Sequence, residues 1–259
     1  MAGLVEVEGV DADYVTAPLE EIFAQAFDDP AFDVTELSFS NYLYLTSTGD
    51  CPYVGLPVFP SRAFRHSAIY IRTDRGIRGP RDLAGRMVGV REYSMTAALV
   101  ARGVLEDDFG LHAAEVCWRY GPADAGDSAP IVRVRPDGVE LAPLASGANL
   151  SDALRDGVLD ALVAYKPPPA FLDGAPNVGR LFVDSVAVEA DYARRTGIFP
   201  IMHLLGIRRE IAARDPRLCL RLCQAFETAL RYAVARTDQA QAPFSSLPWA
   251  PEEAARSRR

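Results

Sequence analysis

The sequence predicts an α/β protein built from two lobes joined by a doubly crossed hinge. Short apolar segments of strand type alternate with amphipathic helical segments along most of the chain, which is typical of a fold with largely parallel sheets. The chain has 259 residues, near the upper size of a single hydrophobic core. The Gly-, Pro- and charge-rich stretch 73–85 and the segment 196–201 provide the two crossings.

Residues 1–73 and 202–259 form the predicted first lobe. Pro18 followed by two acids predicts a helix start, and Ser38 or Ser40 caps a short helix that Gly49 ends. A long helix begins at Asp215-Pro216 and continues to about Arg236, with apolar residues at helical spacing. Apolar runs bounded by turn residues predict strands at Leu4–Val7, Phe32–Glu36, Tyr53–Phe59, Ser67–Arg72 and Met202–Ile207.

Residues 74–201 form the predicted second lobe. A strand at Met87–Val90 runs into a helix from about Thr96 to Leu105, Ser151 caps a helix that Gly157 ends, and a short helix covers Ala190–Arg195. Further strands are predicted at Glu115–Tyr120, Ile131–Val134, Leu159–Ala164 and Leu181–Val183. Because loops at the carboxyl ends of parallel strands face a crevice, we expect a ligand cleft between the lobes and functional residues in those loops.

Composition excludes several classes of function. Lys and Arg total 27 against 35 Asp and Glu, a net charge of −8, and Lys166 is the only lysine. Nucleic-acid binding is carried by clustered basic charge, so we expect no nucleic-acid partner. The sequence contains neither the roughly 20 apolar residues that span a bilayer nor the basic and apolar regions of a signal peptide. The four cysteines lack CxxC spacing, and we expect reduced thiols in a cytoplasmic protein.

Arg62, Arg65 and His66 lie within five residues of one another in the connection 60–66 between two predicted strands. Guanidinium groups bind carboxylates through two parallel hydrogen bonds, so this connection suits an anionic ligand. The alternative is a solvated basic turn.

Two strand-to-helix junctions are also candidates. The first, 90–96, ends in Glu92, Tyr93, Ser94, Met95 and Thr96, where the helix N-terminus and hydroxyl groups favour an anion. The second, 38–42, carries Ser40 and Asn41, whose neutral polar groups can bind hydroxyl or carboxylate oxygens. In both junctions the alternative is plain helix capping.

His203 follows the second crossing, in an apolar run. A histidine titrates near neutral pH and exchanges protons with substrates, although a core histidine is the alternative. The histidines lack zinc-ligand spacing, and the sequence contains no GxSxG, Walker or GxGxxG motif.

Four segments carry longer motifs in a fixed order. They are FDVTELSFSNYL at 32–43, PVFPSRAFRHS at 57–67, VGVREYSMTA at 88–97 and RTGIFPIMH at 195–203. Together they resemble the 4,5-dihydroxyphthalate decarboxylase family, from about Val5 to Trp249. The resemblance implies a two-lobed fold similar to type 2 periplasmic binding proteins. Family members usually have a further strand before the segment matched by Leu4–Val7 and continue past 247–249, so we expect these parts of the first lobe to be lacking.

The reaction that the resemblance implies is loss of CO₂ from a hydroxylated aromatic dicarboxylate, giving protocatechuate. Arg62 and Arg65 would clamp one carboxylate, and Ser94, Thr96 and the helix N-terminus would hold the other, with Ser40 and Asn41 as further substrate contacts. His203 or His66 would donate the proton, and Glu92 or Tyr93 would contact the phenol. No cofactor is required, although a divalent metal ion on Glu92 or His203 is compatible with the residues.

Other functions remain open at this point. The same fold and anion-binding loops serve a non-enzymatic solute-binding protein for small anions, and an inactive truncated paralogue or a riboflavin- or thiamine-precursor relative are further alternatives. The expected partner is a small anionic aromatic substrate. The sequence leaves the oligomeric state open, a homo-oligomer included.

Overall fold

The structure, a computed structural model, describes residues 5–127 and 134–239, with side chains up to residue 236. No helix in these ranges is long and apolar enough to cross a membrane. The helices are α1 (Leu19–Phe27), α2 (Phe39–Thr48), α3 (Thr96–Phe109), α4 (Leu150–Arg155), α5 (Pro169–Leu172), α6 (Ser185–Thr196), α7 (Arg209–Arg214) and α8 (Pro216–Gln239). The strands are β1 (Val34–Ser38), β2 (Tyr53–Arg62), β3 (Ile69–Arg72), β4 (Met87–Val90), β5 (Cys117–Tyr120), β6 (Leu141–Pro143), β7 (Ala161–Val163), β8 (Val178–Arg180) and β9 (Ile201–Arg208).

The chain divides into two compact units whose boundaries differ from those of the predicted lobes. One unit comprises the described residues of Met1–Glu36, Pro52–Val58 and Leu205–Arg259, and the other comprises Leu37–Cys51 and the described residues of Phe59–Leu204. Residues 59–73 therefore belong to the larger unit and not to the predicted first lobe. The physical reason is that β3 pairs along both edges with strands of that unit, β7 and β8.

A six-stranded sheet forms the centre of the larger unit, with the strand order β6-β5-β4-β7-β3-β8. The pairs β6-β5, β5-β4 and β4-β7 are parallel. Strand β3 runs antiparallel to both β7 and β8, so the sheet is mixed and not wholly parallel. The carboxyl ends of four neighbouring strands thus meet at one edge of the sheet, the edge where α/β proteins bind ligands.

Both faces of this sheet are buried, because successive side chains of a strand point to opposite faces. Ile69 and Ile71 of β3 belong to one apolar cluster, whereas Tyr70 between them belongs to the other. Gly89 of β4 lies where a Cβ atom would come within 2.6 Å of Leu159 Cδ1 and 2.7 Å of Leu150 Cδ2. Glycine at this position lets α4 and the segment after it pack closely on the sheet.

The smaller unit has its own apolar core of Leu56, Leu205, Ile207 and Leu222. A three-stranded sheet has the order β1-β9-β2. Helix α8 begins at Pro216, as predicted, and Leu222 packs into the core. Further along the same helix Leu230 is 63% exposed, so the predicted apolar face of α8 is buried only in its first half.

Several predicted elements are confirmed where local signals are strong. Pro18 precedes α1, Gly49 ends α2 with a left-handed φ of 86°, and β4 has the predicted bounds. The connection 60–66 is shorter than predicted, because β2 continues to Arg62 and a 3₁₀ helix covers His66–Ala68.

Other predicted elements are wrong. The strand predicted at Leu181–Val183 lies instead at Val178–Arg180, which pairs with β3, while Leu181 and Phe182 enter the core. The described part of the predicted strand Leu4–Val7 is not in a strand. Asn149, not Ser151, caps α4 by accepting a hydrogen bond from the Asp152 N–H at 2.8 Å. The predicted strand Ile131–Val134, but for its last residue, and the residues 247–249 lie outside the described ranges.

Candidate active site

The two strand-to-helix junctions that the sequence singles out are in contact within the larger unit. The Thr96 hydroxyl at the start of α3 lies 3.0 Å from the Ser38 hydroxyl, and it accepts a hydrogen bond from the Ser40 backbone N–H at 3.1 Å. The Ser40 hydroxyl donates to the Ser94 carbonyl oxygen at 2.5 Å and lies 3.1 Å from the Thr96 hydroxyl. These buried hydrogen bonds join the start of α2 to the start of α3.

Counting hydrogens shows what these hydroxyl groups can still do. A hydroxyl has one hydrogen to donate and two lone pairs to accept. The Ser40 hydrogen goes to the Ser94 carbonyl, so the Thr96 hydroxyl donates to Ser40 Oγ and accepts from the Ser40 N–H and the Ser38 hydroxyl. Thr96 is thereby saturated. Ser40 and Thr96, both predicted as substrate contacts, hold the two helix starts together.

Ser94 and Asn41 behave differently from their neighbours. Their side chains are buried, with 9% and 4% of the residue surface exposed. Neither Ser94 Oγ nor Asn41 Oδ1 has a hydrogen-bond partner among the described residues. An unpaired buried polar group costs about 1–3 kcal/mol. Because Met95 and not Ser94 occupies the N-cap position of α3, helix capping does not account for the Ser94 hydroxyl. Two unsatisfied polar atoms therefore lie at the starts of adjacent helices, where backbone N–H groups favour an anion.

Arg62 and Arg65, the predicted carboxylate clamp, bind different parts of the chain. Arg62 is exposed on β2, where it donates to the Phe199 carbonyl at 3.3 Å and lies over the Phe59 ring. Arg65 is half-buried and donates to the Tyr165 carbonyl at 3.3 Å and to the Met202 sulfur at 3.1 Å. Burial lowers the pKa of Arg65, and Glu189 opposes that shift. Arg65 is thus the arginine of the pair that carries its charge into the interior.

His66 lies in an aromatic environment. Its ring makes edge contacts with Phe182 and Tyr192, with centroid distances of 5.4 and 5.3 Å. The residue is 0% exposed, and neither ring nitrogen has a hydrogen-bond partner among the described residues. Burial lowers the pKa of His66, although Glu189 opposes the shift. This is the position of a neutral core histidine, the alternative to a proton donor.

Tyr93 also belongs to the core of the larger unit. Its ring makes an edge contact with Trp118, at a centroid distance of 5.8 Å. The Arg102 guanidinium lies 3.6 Å from the centre of the Tyr93 ring, and burial lowers the pKa of Arg102 to about 10. Tyr93 packs against Arg102 and Trp118, so it holds the segment between β4 and Ser94 in place. This position does not suit contact with a phenol.

Glu92 and His203 are half-buried, Glu92 between β4 and α3 and His203 on β9. Within the described ranges, no group of three or more His, Cys, Asp or Glu side chains is arranged to hold a metal ion.

A small pocket lies at the carboxyl ends of the parallel strands. Arg91 follows β4, Asp124 follows β5 and Lys166 follows β7, and all three line this pocket. Lys166 Nζ lies 3.9 Å from Asp124 Oδ2, and Arg91 pairs with Asp127 at 3.5 Å. The predicted junction 90–96 contains Arg91, whereas Asp124 and Lys166 are not among the predicted site residues. The rule that parallel strand ends face ligands would have identified all three, because each follows a predicted strand by a few residues.

A larger cavity of about 440 Å³ adjoins this edge of the sheet. It is lined by the last residues of β5 and β6 and by most of the two segments that follow them, as far as Asp127 and Asn149. Its volume falls in the range of roughly 300–1,000 Å³ typical of small-molecule sites. Asp124 lines both this cavity and the small pocket.

Two curated proteins are similar to the chain over most of its length. A 4,5-dihydroxyphthalate decarboxylase of Comamonas testosteroni is 39% identical over 258 residues, which cover 99% of this chain and 78% of that protein. A 4,5-dihydroxyphthalate decarboxylase of Pseudomonas putida is 42% identical over 193 residues, which cover 74% of this chain and 75% of that protein. No protein-family model matches the chain.

Solved structures show the fold. Protein AF1704 of Archaeoglobus fulgidus matches with a TM-score of 0.51 and 15% identity, covering 98% of this chain and 74% of its own. The alkanesulfonate-binding protein SsuA of Xanthomonas axonopodis, bound to MOPS, matches with a TM-score of 0.50 and 16% identity, covering 89% of this chain and 68% of its own. These matches confirm the predicted α/β fold of type 2 periplasmic binding proteins.

Proposed function

The chain belongs to the 4,5-dihydroxyphthalate decarboxylase family, and on this premise we propose that it converts a hydroxylated aromatic dicarboxylate of the 4,5-dihydroxyphthalate type to protocatechuate and CO₂. The observation that carries the proposal is the similarity to the Comamonas decarboxylase across nearly the whole chain. The arrangement of polar groups at the starts of α2 and α3 supports it, because those groups suit an anionic ligand.

The chemistry of the reaction needs a bound carboxylate, a proton and a stabilised phenolic oxygen. A proton adds to the ring carbon that bears the departing carboxylate, and the para hydroxyl stabilises the resulting dienone-like cation. The bond between the ring carbon and the carboxylate then breaks, its electron pair restores the aromatic ring, and CO₂ leaves. The protein accelerates this step only through interactions that are stronger in the transition state than in the ground state.

Substrate binding is proposed at Ser94 and Asn41. The Ser94 hydroxyl has a hydrogen to donate and no described partner, so it can donate to the carboxylate that stays on the ring, with the α3 N-terminus adding favourable charge. Asn41 Oδ1 is an unpartnered acceptor that suits a ring hydroxyl. Arg65 adds positive charge, while Ser40 and Thr96 position the two helix starts.

The departing carboxylate must be less tightly paired than the one that stays, because strong pairing stabilises the ground state. Of the two histidines considered as proton donors, His66 is buried without a hydrogen-bond partner among the described residues, whereas His203 is half-buried. His203 therefore remains the histidine candidate, with Glu92 as a candidate contact for the phenol.

The test is to incubate the purified chain with 4,5-dihydroxyphthalate and to follow protocatechuate by liquid chromatography. Phthalate, which has the carboxylates but lacks the para hydroxyl, is the matched control and should bind without reacting. We expect product with the first compound and only a thermal shift with the second. A thermal shift with both compounds and product with neither would instead support a solute-binding protein for small anions.

A further inference from the structure

We propose that Asp124 donates the proton to the substrate ring, with Lys166 as the cation that stabilises the carboxylate left on Asp124. This inference rests on the proposed decarboxylation. It assigns a catalytic residue that neither the motifs nor the helix starts identify.

The position of Asp124 is the first support. Asp124 lines the cavity of about 440 Å³ and the small pocket beside it, at the edge where β4, β5, β6 and β7 end. The Asp124 side chain is 24% exposed, so a ligand in the cavity can reach it. A general acid must first be within reach of the atom that it protonates.

The second support is the arrangement of charges around Asp124. The neighbouring acid, Asp127, is held by Arg91 at 3.5 Å and by the Asp124 backbone N–H at 3.2 Å. Asp124 itself has a looser partner, because Lys166 Nζ lies 3.9 Å away, beyond hydrogen-bonding distance. Two acids three residues apart are thus placed in different environments.

Burial raises the pKa of Asp124, Lys166 opposes this shift, and Asp127 and Asp152 add to it. Within the described ranges, the charged and titratable groups near Asp124 are Lys166 and Tyr165 after β7, Arg91 after β4, Asp127 in its own loop and Asp152 on α4. A raised pKa keeps the proton on the carboxyl to a higher pH, as a donor requires.

Arg91, which lines the small pocket, and Ser94, three residues later, lie on the same connection between β4 and α3. In the step itself the Asp124 O–H bond breaks and the proton forms a C–H bond with the ring carbon. The departing group leaves as CO₂, and solvent returns a proton to the Asp124 carboxylate.

The experiment compares Asp124→Asn with His203→Gln in the full chain, using 4,5-dihydroxyphthalate. General acids contribute typically 10²- to 10⁴-fold, so we expect Asp124→Asn to lower kcat at least 100-fold with KM changed by about threefold or less. His203→Gln tests the alternative in which the histidine supplies the proton. Asp107→Asn, an exposed acid on α3, is the matched control and should leave kcat unchanged.

The pH profile separates a proton donor from a structural residue. Because Asp124 must be protonated, kcat of the wild type should fall as the pH rises through the Asp124 pKa, and Asp124→Asn should lose this dependence in its residual activity. A phthalate thermal shift equal to that of the wild type shows that the variant keeps its site. Lys166→Met should move the fall in kcat to higher pH, since the cation that favours ionised Asp124 is gone.

The outcomes are distinct. A kcat of Asp124→Asn at least 100-fold below that of the wild type supports the proposal. Product at similar rates from both overturns the role of Asp124 while leaving the decarboxylase function intact, and loss of activity in His203→Gln alone assigns the proton to the histidine. A wild type that binds the dihydroxylated compound without forming product refutes the proposed function, and with it the step assigned to Asp124.

Discussion

Replacing Thr96 by valine tests whether this residue joins the two helix starts or binds substrate. Valine has nearly the shape of threonine, so no cavity forms and the change removes only the hydroxyl. The variant loses the contacts of Thr96 Oγ1 with Ser38 Oγ at 3.0 Å, with the Ser40 N–H at 3.1 Å and with Ser40 Oγ at 3.1 Å. All of these groups are buried.

The expected loss of unfolding free energy depends on which groups lose their hydrogen-bond partner. The Ser38 hydroxyl can rotate, but the Ser40 N–H is fixed by the backbone and is left without an acceptor. A buried donor left without an acceptor costs about 1–3 kcal/mol. The lost hydrogen bond between the Thr96 and Ser40 hydroxyls adds about 1 kcal/mol. We therefore expect Thr96→Val to lower the free energy of unfolding by about 2–4 kcal/mol.

Urea unfolding followed by tryptophan fluorescence measures this change, because Trp118 is buried in the same unit. The midpoint should fall while the slope with denaturant stays the same. Thr96→Ser keeps the hydroxyl and should cost about 1 kcal/mol or less, near the value of one buried methyl group. Thr48→Val, at an exposed position in α2, should change stability by no more than about 0.5 kcal/mol. A midpoint for Thr96→Val equal to that of the wild type would refute the hydrogen-bond count.

Three further substitutions probe other parts of the larger unit. Ser94→Ala should raise KM about 10- to 100-fold through loss of a hydrogen bond to a charged group, yet leave the urea midpoint unchanged; a lower midpoint would mean that the hydroxyl has a structural partner. Because burial lowers the pKa of His66 below 6.5, the unfolded chain takes up its proton first as the pH falls, and stability decreases by at most about 1.4 kcal/mol per pH unit. The unfolding free energy is measured at pH 7.5 and 5.5, and between these values His66→Phe should lose less stability than the wild type. Equal losses in the two proteins would contradict the burial of a neutral His66. Gly89→Ala should lower the urea midpoint by the equivalent of about 1–3 kcal/mol, since its Cβ would lie 2.6 Å from Leu159 Cδ1; an unchanged midpoint would show that the leucines move aside.

The elements that the sequence predicts well are those with strong local signals. Gly49 ends α2 and Pro18 precedes α1 because backbone geometry at these positions depends on the residue itself. The prediction of a strand at Leu181–Val183 is wrong for the opposite reason. Leu181 and Phe182 are apolar, as strand residues often are, but they pack into the core. The hydrogen bonds of β3 go instead to Val178–Arg180, more than a hundred positions away in the sequence. Pairing partners at such separation leave no local pattern.

The candidate site shows the same limit. The sequence identifies both helix starts, but it does not distinguish Thr96 from Ser94, because the difference lies in contacts with Ser38 and Ser40 more than fifty residues away. The rule on parallel strand ends covers the whole loop after β5. Only the ends of β4 and β7 beside it distinguish Asp124 from its neighbours in that loop.

The two proton-donor candidates that the structure separates most clearly, His66 and Asp124, are shifted by the same physical cause. Burial disfavours the charged form of any side chain. For an imidazole the charged form is the one that carries the donated proton, so burial lowers the pKa of His66 and removes its donor at neutral pH. For a carboxyl the neutral form carries the proton, so the burial that raises the pKa of Asp124 favours its proton-carrying form. In a partly buried site of this kind, a carboxyl beside a loosely held lysine is therefore better suited to protonate a ring carbon than a histidine enclosed by aromatic rings.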